Sequence, residues 1–285
     1  MTGEEPRAEL TDEAGRLGDQ WERNAGEDPF WVILADPART DRRWTEADFF
    51  ATGETEWPRV AALLESVDAM PDPGGSFVDF GCGAGRMTRQ FGRLFRTGVG
   101  IDVSDEMVAM ARRLNPGLKF TVNRNPDLRF IPDGSVAFIY SHMVLQHITP
   151  SLQDTFVREF LRVLKPSGIA AFQVASENRE SRRPAWRRAA ARLPRPIKAG
   201  LKRLALRSTS GTAIEMEMHA MADQRVTGIV RAGGGVIVAS PYTNSTDLDH
   251  NGAIRFFDRE SALRRIEEES QATSWLSRFY VVRRR

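Results

Sequence analysis

Residues 77–88 read Phe-Val-Asp-Phe-Gly-Cys-Gly-Ala-Gly-Arg-Met-Thr, an apolar run that delivers Asp79 and then a glycine at every second position, Gly81, Gly83 and Gly85. Such a segment has few ways to fold. The run before Gly81 is a buried strand, the glycines permit turns and close approaches that a Cβ forbids, and the helix that follows begins with N–H groups lacking partners. Those N–H groups face a carboxylate or a phosphate. The spacing differs from the dinucleotide fingerprint Gly-x-Gly-x-x-Gly, because the sixth position counted from Gly81 is Arg86.

The residues downstream narrow the choice. A second short strand, 97–101, ends at Asp102, 21 positions after Gly81. An acid at that strand end can accept both hydroxyls of a ribose. Ser104 then caps a helix with Asp105 and Glu106 in its first turn, Met107, Val108, Ala111 and Leu114 as its apolar stripe, and Asn115-Pro116-Gly117 as its stop. Further strands are expected at 118–122, 135–141 and 168–175, with Thr149 and Pro150 starting the helix that ends near Leu164. The glycine loop, the run Gly-Ile-Asp-Val-Ser-Asp-Glu-Met, the stretch 131–148 and the segment 160–174 with its Leu-Lys-Pro-Ser-Gly resemble, in order, the motifs of the class I S-adenosylmethionine-dependent methyltransferases.

The resemblance implies an α/β, Rossmann-like fold: a seven-stranded, mostly parallel sheet of order 3-2-1-4-5-7-6 with helices on both faces. The chain adds an N-terminal helical lid and a cationic helical insertion to it. The implied cofactor is S-adenosyl-L-methionine, held by Asp79, Gly81, Cys82, Gly83, Gly85, Asp102, Val103, Asn125 and Ser141. The chain departs from the family pattern in two places. The acid that commonly meets the adenine amino group after the third strand is replaced by Asn123-Arg124-Asn125, so that Asn125 or a backbone group takes the contact. Ahead of the fourth strand, Ala137 stands where an Asp is usual.

With 285 residues, 41% of them hydrophobic and 27% charged, one substantial core can be buried. Residues 1–18 read as a leader without structure, 19–70 as the aromatic-rich lid, 71–178 as the cofactor-binding core, 179–212 as a basic insertion and 213–285 as the completion of the sheet. Within that last part, 241–274 reads as an enlarged connection. The absence of an apolar leader or span points to the cytoplasm. A single cysteine, Cys82, excludes an internal disulfide and a cysteine-rich zinc site, and no metal is expected; Asp247, Asp249, His250 and Asn251 make only a loose polar group. Between Arg179 and Arg207 stand eleven basic residues and one acid, in a chain whose net charge is +2. Two short cationic amphipathic helices around Pro194 and Pro196 would present Arg187, Arg188 and Arg192 outward. A solvated face packed on the core or on another copy of the chain, an anionic acceptor or acidic partner, and a membrane surface all remain open as its role.

Methyl transfer from a sulfonium needs alignment and, for a hydroxyl acceptor, a base. His142, at the end of the fourth strand, is the candidate base; His147 reads as structural, and His219 and His250 as outlying. The favoured reading is a small-molecule methyltransferase acting on oxygen of a sugar, polyketide or lipid-like acceptor. A nucleic-acid methyltransferase is the first alternative, but no Asn/Asp-Pro-Pro-Tyr/Phe motif or Pro-Cys pair is present. A catalytically silent cofactor-binding protein of the same fold is the second.

Overall fold

The run Ser76–Phe80 is the first strand, β1, and it places the rest of the sheet around itself. The computed structural model describes residues 5–34, 43–178, 217–246, 253–268 and 275–285. The arginine-rich segment and the Asp247, Asp249, His250 and Asn251 group therefore lie outside the described residues, as do any helices expected there.

β1 pairs in parallel with β2 (Thr97–Asp102) on one side and β4 (Val136–Ser141) on the other. β2 carries β3 (Phe120–Val122), and β4 carries β5 (Leu164–Asn178), again in parallel. The last strand, β9 (Trp275–Arg284), runs antiparallel along β5, with Phe172 opposite Tyr280. Its far edge is shared: Gly235–Ala239 (β6) pairs with its C-terminal half and the two-residue strand Tyr242–Thr243 (β7) with its N-terminal half. Phe256–Phe257 (β8) pairs with β7. The expected order 3-2-1-4-5-7-6 is thus present as β3-β2-β1-β4-β5-β9-β6, but the strand count is nine among the described residues, not seven. The two additions lie in the long connection and are too short to show a period of two.

Period-two alternation divides β1 between two cores. Val78 and Phe80 join a cluster with Leu152, Phe156 and Phe160 of α6 (Pro150–Val163) and Val226, Ile229 and Val230 of α7 (Asp223–Ala232). Phe77 joins the opposite cluster with Phe91 of α4 (Arg86–Phe91) and Val60 and Leu64 of α3 (Glu46–Ser66). α3 is capped by Thr45, whose hydroxyl accepts from the Asp48 N–H at 3.1 Å. Its buried stripe is Phe49, Gly53, Glu56, Val60 and Leu64, so one acid stands among core positions. Gly53 makes this packing feasible, because a Cβ there would lie 2.9 Å from the Arg86 carbonyl oxygen of α4. α5 (Asp105–Leu114) begins as expected, the Ser104 hydroxyl accepting from the Met107 N–H at 3.1 Å. Thr149 occupies the cap position of α6, yet its hydroxyl makes no capping bond.

The leader expected over 1–18 is instead helical: α1 spans Glu5–Glu27, followed by α2 (Pro29–Leu34). The correction has a physical reason in the spacing Leu10, Ala14, Leu17, Trp21, a stripe on one helical face. Ala14 is buried in the main core, with Leu10 and Leu17 packed against it. Polar contacts fix the same helix from outside. Glu22 accepts from the Ser104 hydroxyl at 2.7 Å and from the Glu106 N–H at 3.2 Å, adding a second cap to α5. Arg124 pairs with Asp19 at 3.2 Å and with Asp105 at 3.1 Å. No described helix is long and apolar enough to cross a membrane. The last helix, α8 (Arg259–Glu268), lies near β7 and β8.

Candidate functional site

The sheet order turns around between β1 and β4, and ligands in open α/β sheets bind outside the carboxyl ends of the strands at such a point. A cavity of about 860 Å³, its mouth included, opens there. Gly81 and Gly83 from the loop after β1, Asp102 and Val103 after β2, Asn123 and Asn125 after β3, and His142, Met143 and Val144 after β4 line its floor and sides. Ala14, Leu17 and Trp21 of α1 and Val32 and Ile33 of α2 line it from outside the core, and Ile148, Leu152 and Phe156 complete an apolar end.

The loop is held by β2: the Gly81 and Cys82 N–H groups both donate to the Ile101 carbonyl, at 2.7 and 2.9 Å. Gly81 has φ +74°, and a Cβ there would fall 2.2 Å from Val144 Cγ2. Asp102 accepts from the Gly83 N–H at 2.8 Å and from the Ser104 N–H at 3.0 Å, which fixes its carboxylate at the cavity edge. Burial pushes its carboxyl above the usual range, against the pull of those same N–H groups.

Six of the ten residues proposed from sequence therefore meet at one cavity: Gly81, Gly83, Asp102, Val103, Asn125 and His142. The other four do not line it. Asp79 follows Phe77 in the strand alternation and faces α4, where the Thr88 hydroxyl donates to it at 2.5 Å. Its carboxyl is pushed up to about 7 by burial, with the Thr88 hydroxyl and the Arg86 charge acting against the rise. Cys82 is buried under the loop, its thiol also pushed up by burial. Gly85 is a packing glycine: it starts α4 at φ +86°, and a Cβ would lie 2.7 Å from the Asn115 amide nitrogen. Ser141 is buried, and its hydroxyl has no hydrogen-bond partner among the described residues.

His142 follows Tyr140 by two residues, so both side chains reach the same face and both meet Glu56 of α3. The Tyr140 hydroxyl donates to Glu56 Oε1 at 2.5 Å, and His142 Nδ1 lies 2.9 Å from the same oxygen. Arg86 is 2.9 Å from Glu56 Oε2. On its other side His142 Nε2 is 2.7 Å from Ser245 Oγ, in the turn after β7. Glu56 and Ser245 were not among the sequence candidates. The signal for Glu56 was an acid in the apolar stripe of a helix; Ser245, in a connection without periodicity, gave none.

His147 has the structural role expected for it. Its ring packs edge-on to Trp21, Nδ1 is 2.9 Å from the Glu217 carbonyl oxygen, and Nε2 is 3.0 Å from the Gln146 amide nitrogen. Burial lowers its pKa to about 4. His219 lies outside the cavity lining and pairs loosely with Glu217 at 3.7 Å.

The cavity fits the cofactor the sequence implied. A fixed carboxylate stands where two hydroxyls can reach it, two side-chain amides stand beside it, and a left-handed glycine loop leaves space that Cβ atoms would fill.

Comparison with known proteins matches part of the chain to a family. Residues 78–172, from β1 into β5, match a family model described as a methyltransferase domain. The 2-methyl-6-phytyl-1,4-hydroquinone methyltransferase of Synechocystis is 32% identical over 124 residues, covering 42% of this chain and 38% of that protein. An uncharacterised methyltransferase of Synechocystis is 27% identical over 221 residues, covering 70% of this chain and 99% of the other. The chain spans only about 35% to 60% of the length of three of the curated relatives it matches, that hydroquinone methyltransferase and an uncharacterised transposon protein of Streptomyces fradiae among them. The crystal structure of magnesium protoporphyrin IX methyltransferase from Synechocystis shares the fold at 14% identity, with a TM-score of 0.52 over 94% of this chain and 97% of that one.

Proposed function

We propose that this chain, whose residues 78–172 match a methyltransferase-domain model, is a class I S-adenosylmethionine-dependent methyltransferase that methylates an oxygen of a small acceptor with a largely apolar body. The observation that carries the reading is the convergence of the glycine loop, Asp102 and His142 on one cavity whose remaining walls are mostly apolar. The bound cofactor supplies a methyl group on a positively charged sulfur, already activated for displacement. The residues of the chain supply position and a proton acceptor. Asp102 is suited to accept the ribose hydroxyls, Asn123 and Asn125 to meet the adenine edge, and the backbone of Gly81 and Gly83 to let the amino-acid end approach. His142 is the group that takes the proton from the acceptor hydroxyl, worth about 10²-fold or more in rate. The apolar contributions of Leu17, Trp21, Val32 and Ile33 favour a polyketide or lipid-like acceptor over a sugar.

The test is transfer of labelled methyl from the cofactor to a panel of apolar hydroxyl acceptors, followed by His142→Ala. The reading expects turnover lowered about a hundredfold with cofactor affinity nearly unchanged. Normal turnover in that variant would return His142 to a structural role. Tight cofactor binding with no transfer to any acceptor class would favour the catalytically silent alternative.

A further inference from the structure

We propose that Glu56 is the positioning residue of His142: its buried carboxylate holds the imidazole with the proton on Nδ1 and leaves Nε2 as the nitrogen that accepts a proton. The inference rests on the base reading above and adds to it a residue from outside the methyltransferase domain, on helix α3.

The assignment follows from counting donors. Glu56 has a fully buried side chain on which Arg86, Tyr140 and His142 converge, at 2.9, 2.5 and 2.9 Å. Burial, and then the facing Glu56 charge, push the Tyr140 phenol well above its ordinary range, so its hydroxyl keeps its proton and donates. Arg86, which carries donors only, faces Glu56 Oε2, and Oε1 accepts from the Tyr140 hydroxyl, so both carboxylate oxygens act as acceptors. The contact at His142 Nδ1 is therefore N–H to oxygen. In a neutral imidazole the second nitrogen then carries the lone pair. Ser245 agrees with this, because a hydroxyl 2.7 Å from Nε2 can donate to that lone pair while accepting from Thr243 Oγ1 at 3.0 Å.

Two consequences follow. The ring cannot present the wrong nitrogen, since turning it would set a lone pair against the carboxylate. When Nε2 takes the proton of an acceptor hydroxyl, the acceptor oxygen keeps the bonding electron pair as its nucleophile, and the imidazolium that forms lies against a negative charge 2.9 Å away. The proton on Nδ1 stays where it is. The Ser245 hydroxyl, itself buried and outside the cavity lining, occupies the lone-pair side of Nε2 and has to give way before an acceptor hydroxyl reaches the nitrogen.

The experiment is a long-range proton–nitrogen correlation spectrum of the full chain with labelled imidazoles, without cofactor, near pH 8. The His142 signals are identified by their loss in His142→Ala. The expected result is an Nδ1–H tautomer for His142. In Glu56→Met/Arg86→Met, which removes the ion pair as a unit, that tautomer is expected to be lost. The kcat should fall about tenfold or more, with the cofactor Kd and acceptor KM little changed. Glu56→Gln keeps an accepting oxygen and should retain the tautomer with a smaller loss of kcat. An Nε2–H tautomer in the wild type would overturn the proposal. So would a folded double variant with the tautomer and kcat of the wild type. Should the double variant not fold, the wild-type tautomer and Glu56→Gln decide: full kcat in Glu56→Gln refutes a role for the charge. If His142→Ala itself turns over normally, the base reading falls instead, whatever tautomer is seen.

Discussion

Asp79→Asn should make the protein more stable, and only on the alkaline side. Asp79 is the acid of the glycine motif, yet it is buried against α4 with its carboxyl pushed up to about 7, first by burial. An unfolded aspartate titrates near pH 3.9. Between those two values the folded chain holds a proton that the unfolded chain has released, so stability from this group falls as pH rises. It is fully present below about pH 4 and lost by the time pH passes 7. The interval is about three pH units at about 1.4 kcal/mol each, or about 4 kcal/mol in all. Asparagine imitates the protonated acid in shape, and its carbonyl oxygen can still accept from the Thr88 hydroxyl. It has no charge to acquire. Urea unfolding of cofactor-free wild type and Asp79→Asn at several values between pH 4 and pH 8 tests this, since every other titrating group is common to both. The gap between the two proteins should widen in favour of the variant by up to about 4 kcal/mol across that range. A difference that stays constant with pH, or one that favours the wild type at pH 8, would refute the reasoning.

Asp102→Ala should weaken cofactor binding by about 1 to 3 kcal/mol through loss of charge-assisted hydrogen bonds, measured by calorimetry; equal affinity would remove Asp102 from the site. Gly81→Ala meets both a positive φ and the Val144 side chain, so cofactor affinity should fall at least about tenfold, and a variant that binds as the wild type does would show the loop to be looser than its geometry. His147 has its pKa lowered to about 4 by burial, and its contribution to stability is present above about pH 6.5 and lost as pH falls toward 4. The loss amounts to about 3 kcal/mol. His147→Gln should remove that acid-side slope in urea unfolding, and an unchanged slope would assign it to other groups.

The five parallel strands and the loop between β1 and α4 were legible because each is local: apolar runs, glycines and caps within a few residues of one another. Strand alternation was legible in principle as well, and it carries the main correction at the site. Phe80 lines the cavity, so Asp79, one residue earlier, faces the other side. A motif fixes where an acid stands in the chain, but the face it takes depends on what packs there. Helix α1 was hidden because its stripe of Leu10, Ala14, Leu17 and Trp21 is sparse among charged residues. Most partners of that stripe are far along the chain, in the main core, in α5 around Met107 and in α6. The pairing of His142 with Glu56 crosses 86 residues and that with Ser245 crosses 103. Contacts of that separation leave no trace in local spacing.

The cavity is assembled from two stretches of chain with different freedom to vary. Its floor is cut into residues 78–172, where Gly81 faces the Val144 side chain and Asp102 is held by two backbone N–H groups. Its roof is a set of apolar side chains from α1 and α2, of which Ile33 packs against Gly83 of the loop. Exchanging Leu17, Trp21 or Val32 for other apolar residues would recut the outline of the chamber while leaving its chemistry alone. A descendant chain could therefore drift from one acceptor to another through its first 34 residues, keeping every residue that meets the cofactor.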